Sequence, residues 1–266
     1  MSKPLTGITV LVTRPAHQAG GLAERIRTAG GKPVLFPVLE ILDVINPRPL
    51  LEVIRRLDEF DLAVFISPNA VNKAMSLIHA SRSLPPGLKV AAVGQGTSKA
   101  LRNFDVQAVI APTAHFDSEA LLDMAELKHL AGKHVVIFRG DGGRELLGKT
   151  LLERGAILEY AECYRRAKPS ADVAPLLKAG ARGEISAITI TSSEGLRNLF
   201  DMVGEAAQAW LKQTPLFVSH ERIAESARTL GCAHVILTPA GDYGLLEGLS
   251  IYFRSKAGGD SASMKP

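Results

Sequence analysis

Gly7-Ile8-Thr9-Val10-Leu11-Val12-Thr13-Arg14 and Gly132-Lys133-His134-Val135-Val136-Ile137-Phe138-Arg139 lie 125 positions apart and follow one plan. Each opens on glycine, runs through an apolar stretch, ends on arginine and enters a turn holding Pro or Gly before a helical segment. The apolar runs are short and continuous, without the alternation of a strand that has one wet face. That pattern marks strands buried on both sides of a parallel sheet.

The same pattern recurs outward from these two. Strands are expected at Leu62–Ile66, Lys89–Val93, Val109–Ile110, Ala187–Ile190, Leu216–Val218 and Val235–Leu237. Helical segments lie between them: Leu22 and Ile26 share a face that stops at Gly30-Gly31, and Leu147 and Leu151 share one that stops at Gly155. Strands alternating with helices predict an α/β protein with parallel sheets. Phe65-Ile66-Ser67-Pro68-Asn69-Ala70 stands 125 positions before Ile190-Thr191-Ser192-Ser193-Glu194-Gly195, and Ala92-Val93-Gly94-Gln95 the same distance before Phe217-Val218-Ser219-His220. The ends, Ala111-Pro112 and Thr238-Pro239, fall about two residues out of step. Matches in one order at one offset predict an internal duplication.

Composition bounds what such a chain can be. It has 266 residues, 46% of them hydrophobic, and a mean hydropathy of +0.12, enough apolar material for two cores. No run approaches the length needed to span a bilayer. The start runs straight into a strand-like segment, with no signal-peptide pattern. Two cysteines, Cys163 and Cys232, rule out a disulfide framework and suit a reducing cytoplasm. A net charge of +4 without a dense basic cluster reads first as a solvated, slightly basic surface, next as a surface for a polyanionic ligand, and only third as one for nucleic acid. The seven histidines show no metal-ligand spacing. The glycine patterns at Gly94 and Gly140 lack the remaining marks of a dinucleotide or phosphate-binding loop.

Six polar loops follow strand ends and precede helices, beginning at Thr13, Ser67, Gly94, Arg139, Thr191 and Ser219. Loops so placed present free N–H groups to anions, although Ser and Thr there also serve as ordinary helix caps. Asp141, Glu194 and Glu221 sit where acids usually cap helices or serve their dipoles, and His220 reads as a turn histidine. Two segments break the rhythm, Pro33–Ile41 and Ile157–Tyr164. Both are extended and long, so they are candidates for crossings between two lobes. Tyr164 lies in the second, where a tyrosine can donate a proton to a departing oxygen or simply pack at the junction.

Taken together, Val12-Thr13-Arg14-Pro15, Phe36-Pro37, Phe65-Ile66-Ser67-Pro68-Asn69-Ala70-Val71, Val93-Gly94-Gln95-Gly96-Thr97, Arg139-Gly140-Asp141-Gly142-Gly143-Arg144, Tyr164-Arg165-Arg166, Thr191-Ser192-Ser193 and Ser219 with Arg222-Ile223-Ala224 resemble the uroporphyrinogen-III synthase family. The resemblance runs over about residues 5 to 253. It implies two Rossmann- or flavodoxin-like lobes with parallel sheets, joined by a two-stranded linker, and a reaction without cofactor or metal. Linear hydroxymethylbilane loses water and closes through a spiro intermediate that inverts ring D, giving uroporphyrinogen III instead of isomer I. The substrate's eight carboxylates would meet N–H-rich loops and arginines. A hinge would let the lobes wrap it. Residue by residue, the resemblance makes Tyr164 the general acid. It makes Arg14, Ser67, Thr97, Arg139, Gly140, Arg144, Ser192, Ser193 and Ser219 substrate-binding. It further implies a cytoplasmic monomer meeting hydroxymethylbilane synthase transiently, with no nucleic acid or membrane partner. With the crossings, it predicts one lobe from 1–37 and 168–256, another from 38–167, and a disordered tail over 257–266. A two-lobed anion-binding protein of the periplasmic-receptor kind and a nucleotide-sugar glycosyltransferase are the competing readings.

Overall fold

The computed structural model describes residues 3–113, 116–142 and 145–260. In chain order the elements are β1 (Thr9–Val12), α1 (Ala16–Thr28), β2 (Lys32–Leu35), β3 (Glu40–Leu42), α2 (Arg48–Arg55), β4 (Leu62–Phe65), α3 (Pro68–Ser81), β5 (Lys89–Ala92), α4 (Gln95–Arg102) and β6 (Val109–Ile110). There follow α5 (Ser118–Leu122), β7 (His134–Gly140), α6 (Leu146–Glu153), β8 (Ile157–Ala167), α7 (Ala174–Ala181) and β9 (Ala187–Ile190). The last are α8 (Ser193–Val203), α9 (Gln208–Gln213), β10 (Leu216–Val218), α10 (Glu221–Thr229), β11 (Val235–Leu237) and α11 (Gly241–Asp260). All eight continuous apolar runs are strands, and the parallel α/β class holds.

The chain forms two compact units. One takes residues up to Glu40 and from Ala167 onward; the other is Ile41–Arg166. The first passage falls three residues later than the sequence places it, because Phe36 and Val38 donate backbone hydrogen bonds to Val12 and Thr13 carbonyls and stay with β1. The first unit holds a sheet ordered β11-β10-β9-β1-β2, and the second a sheet ordered β3-β8-β7-β4-β5-β6.

The two sheets share their register. Val10 pairs with Ala187 as Val135 pairs with Leu62, and Val10 pairs with Pro33 as Val135 pairs with Leu158, each at an offset of 125. The later strands shift by one. Ala92 faces Phe65 where Val218 faces Ile190, an offset of 126 that persists into the Val109 and Val235 pairings. One added residue in the connection before β10 explains it, so the sequence offset at Ala92 and Phe217 is one short.

Each sheet is covered on both faces. In the second unit Ala63, Phe65, Val136 and Phe138 point into one core with Val71, Met75 and Ile78 of α3; Leu62, Val64, Val135 and Ile137 point into the other with Leu147 and Leu151 of α6. In the first unit the same alternation sends Leu11, Ile188 and Val218 to one side and Val10, Val12 and Phe217 to the other. Residues buried on either side of a strand alternate with its pleat, which is why the runs are mostly apolar; buried Thr189 satisfies its hydroxyl by donating to the Leu11 carbonyl.

Two expectations change. Ile157–Ala167 is not a bare crossing but an eleven-residue strand hydrogen-bonded between β3 and β7. Its apolar and polar residues mix because Tyr160 and Glu162 lie on its wetter face, while Glu159, on the other, pairs with Arg56. Helix α11 runs through Asp260, four residues into the expected tail, while residues 261–266 lie outside those described. Buried Leu245 and Leu249 anchor that helix, and extending an existing helix costs little per residue even where glycines weaken it.

The stacked rings of Phe65 and Phe138, 4.7 Å apart between centroids, join the two central strands of the second sheet. Phe138→Ala is expected to lower stability by about 3–5 kcal/mol. Leu152→Ala, at a half-exposed position on α6, should stay within about 0.5 kcal/mol. Urea titration of both variants checks the contrast.

Candidate functional site

The register of the second sheet sets Ser67 and Gly140 side by side. Phe65 and Phe138 face each other, and each chain runs two residues further before turning away from the sheet. Ser67 then caps α3: its backbone is extended and its hydroxyl accepts from the Ala70 N–H at 3.1 Å. Pro68 at the first helical position suits that start.

Tyr164 reaches this corner through a β-bulge. Arg139 pairs with Glu162, but Gly140 pairs with Tyr164, so Cys163 is an extra residue on β8. Without it, Tyr164 would share the exposed face of Tyr160 and Glu162. With it, Ala161, Cys163 and Tyr164 all enter the same core, as a bulge re-aims the residues after it. Tyr164 is only 4% exposed. Its phenolic oxygen lies 3.1 Å from Ser67 Oγ. The loop after β7 holds the bulge closed: Asp141 N–H donates to the Tyr164 carbonyl at 2.9 Å, Asp141 Oδ1 accepts from Arg166 N–H at 2.9 Å, and Arg166 Nη2 donates to the Asp141 carbonyl at 2.9 Å.

Ser67 Oγ already accepts one hydrogen bond, from Ala70. It has one proton and one further lone pair to share with Tyr164. If Ser67 donates to the phenol, the phenolic proton is free for another acceptor; if the phenol donates, Ser67 keeps its own. Burial pushes the Tyr164 phenol above its ordinary range, opposed by the Ser67 hydrogen bond and the Arg166 charge. Burial likewise drives the neighbouring Cys163 thiol up to about 12. The corner therefore holds two neutral acids at pH 7.

The other expected residues are distributed as follows. Arg139 is 5% exposed. Its Nη2 donates to Glu145 Oε1 at 3.2 Å and its guanidinium lies over the Tyr160 ring at 4.8 Å. Arg14 forms an ion pair with Asp242 at the start of α11. Both arginines, which the resemblance makes substrate-binding, pair here with protein carboxylates, since a guanidinium with little access to water needs a fixed partner. Thr97 is buried at 3% in the first turn of α4. Arg144 lies outside the described residues. In the first unit Ser192 caps α8, accepting from Gly195 N–H at 2.9 Å, the counterpart of the Ser67 cap. Ser193 bonds Ser226 across to α10, and Ser219 is half-buried at the end of β10. His220 caps α10 through its ring Nδ1. Sequence reading missed the Asp141–Arg166 tie, treating Asp141 as a cap; the only hint was an acid directly after the glycine that ends β7.

The wider concavities of the second unit lie elsewhere. One of about 720 Å³, lined by Ile54, Arg82 and Pro85 among others, sits toward the amino ends of the strands; another of about 520 Å³ lies beside β8 over Tyr160 and Glu162. Neither is lined by Tyr164 or Ser67. Size is thus no guide here, and the hydroxyl pair is identified by its chemistry. Among the described residues, no three His, Cys, Asp or Glu side chains converge as a metal would require, and no helix is long and apolar enough to cross a membrane.

Comparison with known proteins places the chain. The sequence model of the family described as Uroporphyrinogen-III synthase HemD matches residues 21–241. The chain belongs to the uroporphyrinogen-III synthase family. It is 35% identical over 226 residues to uroporphyrinogen-III synthase of Escherichia coli K12, covering 84% of this chain and 92% of that one. It is 31% identical over 197 residues to a putative uroporphyrinogen-III synthase of Methanothermobacter thermautotrophicus, covering 73% and 77%. A crystal structure of a mutant uroporphyrinogen III synthase from the extremely thermophilic bacterium Thermus thermophilus aligns with a TM-score of 0.66 at 20% identity, over 94% of this chain and 99% of that one. The synthetase of Helicobacter pylori 26695 aligns at 0.53 and 16%, over 94% and 99%. These likenesses support the two-domain α/β fold of this family.

Tyr164 and Cys163 titrate above their ordinary values in the folded chain. Their contribution to stability is present below the unfolded-state values, roughly 10 and 8.5, and is lost as pH climbs through the folded ones. Urea midpoints should therefore fall progressively above about pH 9. Tyr164→Phe should flatten the part of the fall above about pH 10. An unchanged slope in that variant would mean the phenol ionises as readily folded as unfolded.

Proposed function

We propose that this chain closes hydroxymethylbilane to uroporphyrinogen III, with loss of water and inversion of ring D. Similarity to the Escherichia coli enzyme along 92% of its length carries the reaction assignment and displaces the binding-protein and glycosyltransferase readings. The hydroxyl pair of Tyr164 and Ser67, 3.1 Å apart at the strand ends of the second unit, carries the assignment of the acid.

The chemistry asks for little from the protein at the first step. The electron-rich pyrrole expels the terminal hydroxyl, which leaves as water if a proton meets it. Tyr164 supplies that proton. The ordinary phenol value, about 10, lies well below that of water, about 15.7, so proton transfer from a phenol to a departing hydroxide runs downhill. The raised value of Tyr164 also keeps the donor loaded at neutral pH. Ser67, half-buried and nearer the surface, orients the phenolic proton. Because the free bilane also closes unaided to isomer I, most of the enzyme's task is to hold one folded substrate conformation.

Helix starts bearing Ser67, Ser192, Ser193 and Ser219 offer hydroxyl and N–H groups to substrate carboxylates. Arg14 and Arg139 shape their loops rather than touch substrate. The reaction in this reading uses no metal or cofactor. A cytoplasmic monomer that meets hydroxymethylbilane synthase transiently belongs to the same proposal. So does an internal duplication with exchanged first strand–helix units, supported by the common register of the two sheets.

A coupled assay that generates hydroxymethylbilane in place and separates isomers I and III tests the proposal. The wild-type chain should give isomer III. Tyr164→Phe should lose about 10²-fold or more in turnover, the range of general acid catalysis. Full turnover in a folded Tyr164→Phe protein would remove the acid role. Ser67→Ala should lose less activity and about 0.5–2 kcal/mol of stability as its helix cap goes.

A further inference from the structure

The ring of Tyr164 lies across the backbone of Gly140. A Cβ on Gly140 would stand 2.6 Å from Cε2, 2.7 Å from Cζ and 3.1 Å from the phenolic oxygen, closer than packed atoms approach. The backbone itself makes no such demand: Gly140 is absent from the positive-φ glycines, whereas Gly142, at φ 64, is among them. Gly140 therefore owes its identity to the ring above it. The bulge at Cys163 brings the ring over, and the Asp141–Arg166 hydrogen bonds close the chain on both sides of it.

We propose that Gly140 is a positioning residue for the cyclisation, its missing side chain letting the Tyr164 ring lie over the end of β7 with its hydroxyl on Ser67. This rests on the reading of Tyr164 as the acid. It also departs from the expectation that Gly140 binds substrate: Gly140 is buried beneath the tyrosine and acts through it. Any side chain there tilts the ring away from Ser67, and a displacement of that kind costs turnover more than binding.

Wild type, Gly140→Ala, Tyr164→Ala and the double variant test this. Isomer III kinetics and urea midpoints are measured for all four. Gly140→Ala should lower kcat about 10²-fold, as an ångström of misplacement does, with KM little changed, and should lower the urea midpoint. In the Tyr164→Ala background it should add neither loss. The alkaline fall of kcat should move to lower pH in Gly140→Ala, because a displaced phenol regains water. Full kcat in Gly140→Ala overturns the proposal, as does an equal loss in both backgrounds or a reduced kcat with an unmoved alkaline limb. Folding of Gly140→Ala only alongside Tyr164→Ala would itself show the coupling. Failure to fold in both backgrounds would overturn it, the glycine then serving the backbone. A wild-type chain giving only isomer I would defeat the acid reading, while the urea midpoints still decide whether the glycine serves the ring.

Discussion

Everything at the proposed site depends on the parallel pairing of β4 with β7. The two strands are joined through Phe65 and Phe138, residues far apart in sequence that face each other in register and stack in the core. A slip of one residue would turn every side chain of a strand to the opposite face. It would also carry Ser67 away from Gly140 by one residue's rise. With the register fixed, both strand ends finish level, and a single extra residue in β8 suffices to bring Tyr164 onto both. The apolar core thus determines where a polar pair can form. Neither hydroxyl needs a long loop to find the other.

The first unit shows what the register provides without the tyrosine. Val10 meets Ala187 in the arrangement of Val135 and Leu62, and Ser192 caps α8 as Ser67 caps α3. Leu39 stands 125 positions before Tyr164. Next to it, buried Val38 packs toward Gly195 and offers its carbonyl to Asn198. The cap and strand ends are therefore properties of both units, while the phenol is present in one only. A serine at a strand end in this fold is first a helix cap. In the second unit it also meets a phenol, where the neighbouring strand bulges.

That distinction governs how much the sequence reveals. The strands were legible because burial on both faces leaves continuous apolar runs, and Ser67 was legible because it precedes Pro68 and a helix. The family resemblance pointed to Tyr164. The bulge was not legible: Glu162-Cys163-Tyr164 reads equally well as a regular strand, and only pairing with Arg139 and Gly140 shows which residue is extra. The partners of Arg14 and Arg139 were hidden for a related reason. A cationic side chain at a strand end suits an external carboxylate, but Asp242 and Glu145, distant or across a turn, already occupy these two. Long-range pairing leaves no periodicity to read.

The burial of Tyr164 sets a trade-off that the substrate resolves. Removing the phenol from water raises its pKa and weakens it as an acid, yet in the proposed role its proton goes to an oxygen far more basic than phenolate. A ligand carrying eight carboxylates adds negative charge nearby, which favours the neutral phenol further. A histidine in this place would be pulled toward its charged form by the same field, and a carboxylic acid would need a much larger shift to stay protonated at neutral pH. Tyrosine stays protonated there as a neutral group and needs no charged partner. It asks only for a hydroxyl to orient it and a backbone bare enough to lie against, and the end of β7 and the start of α3 supply both.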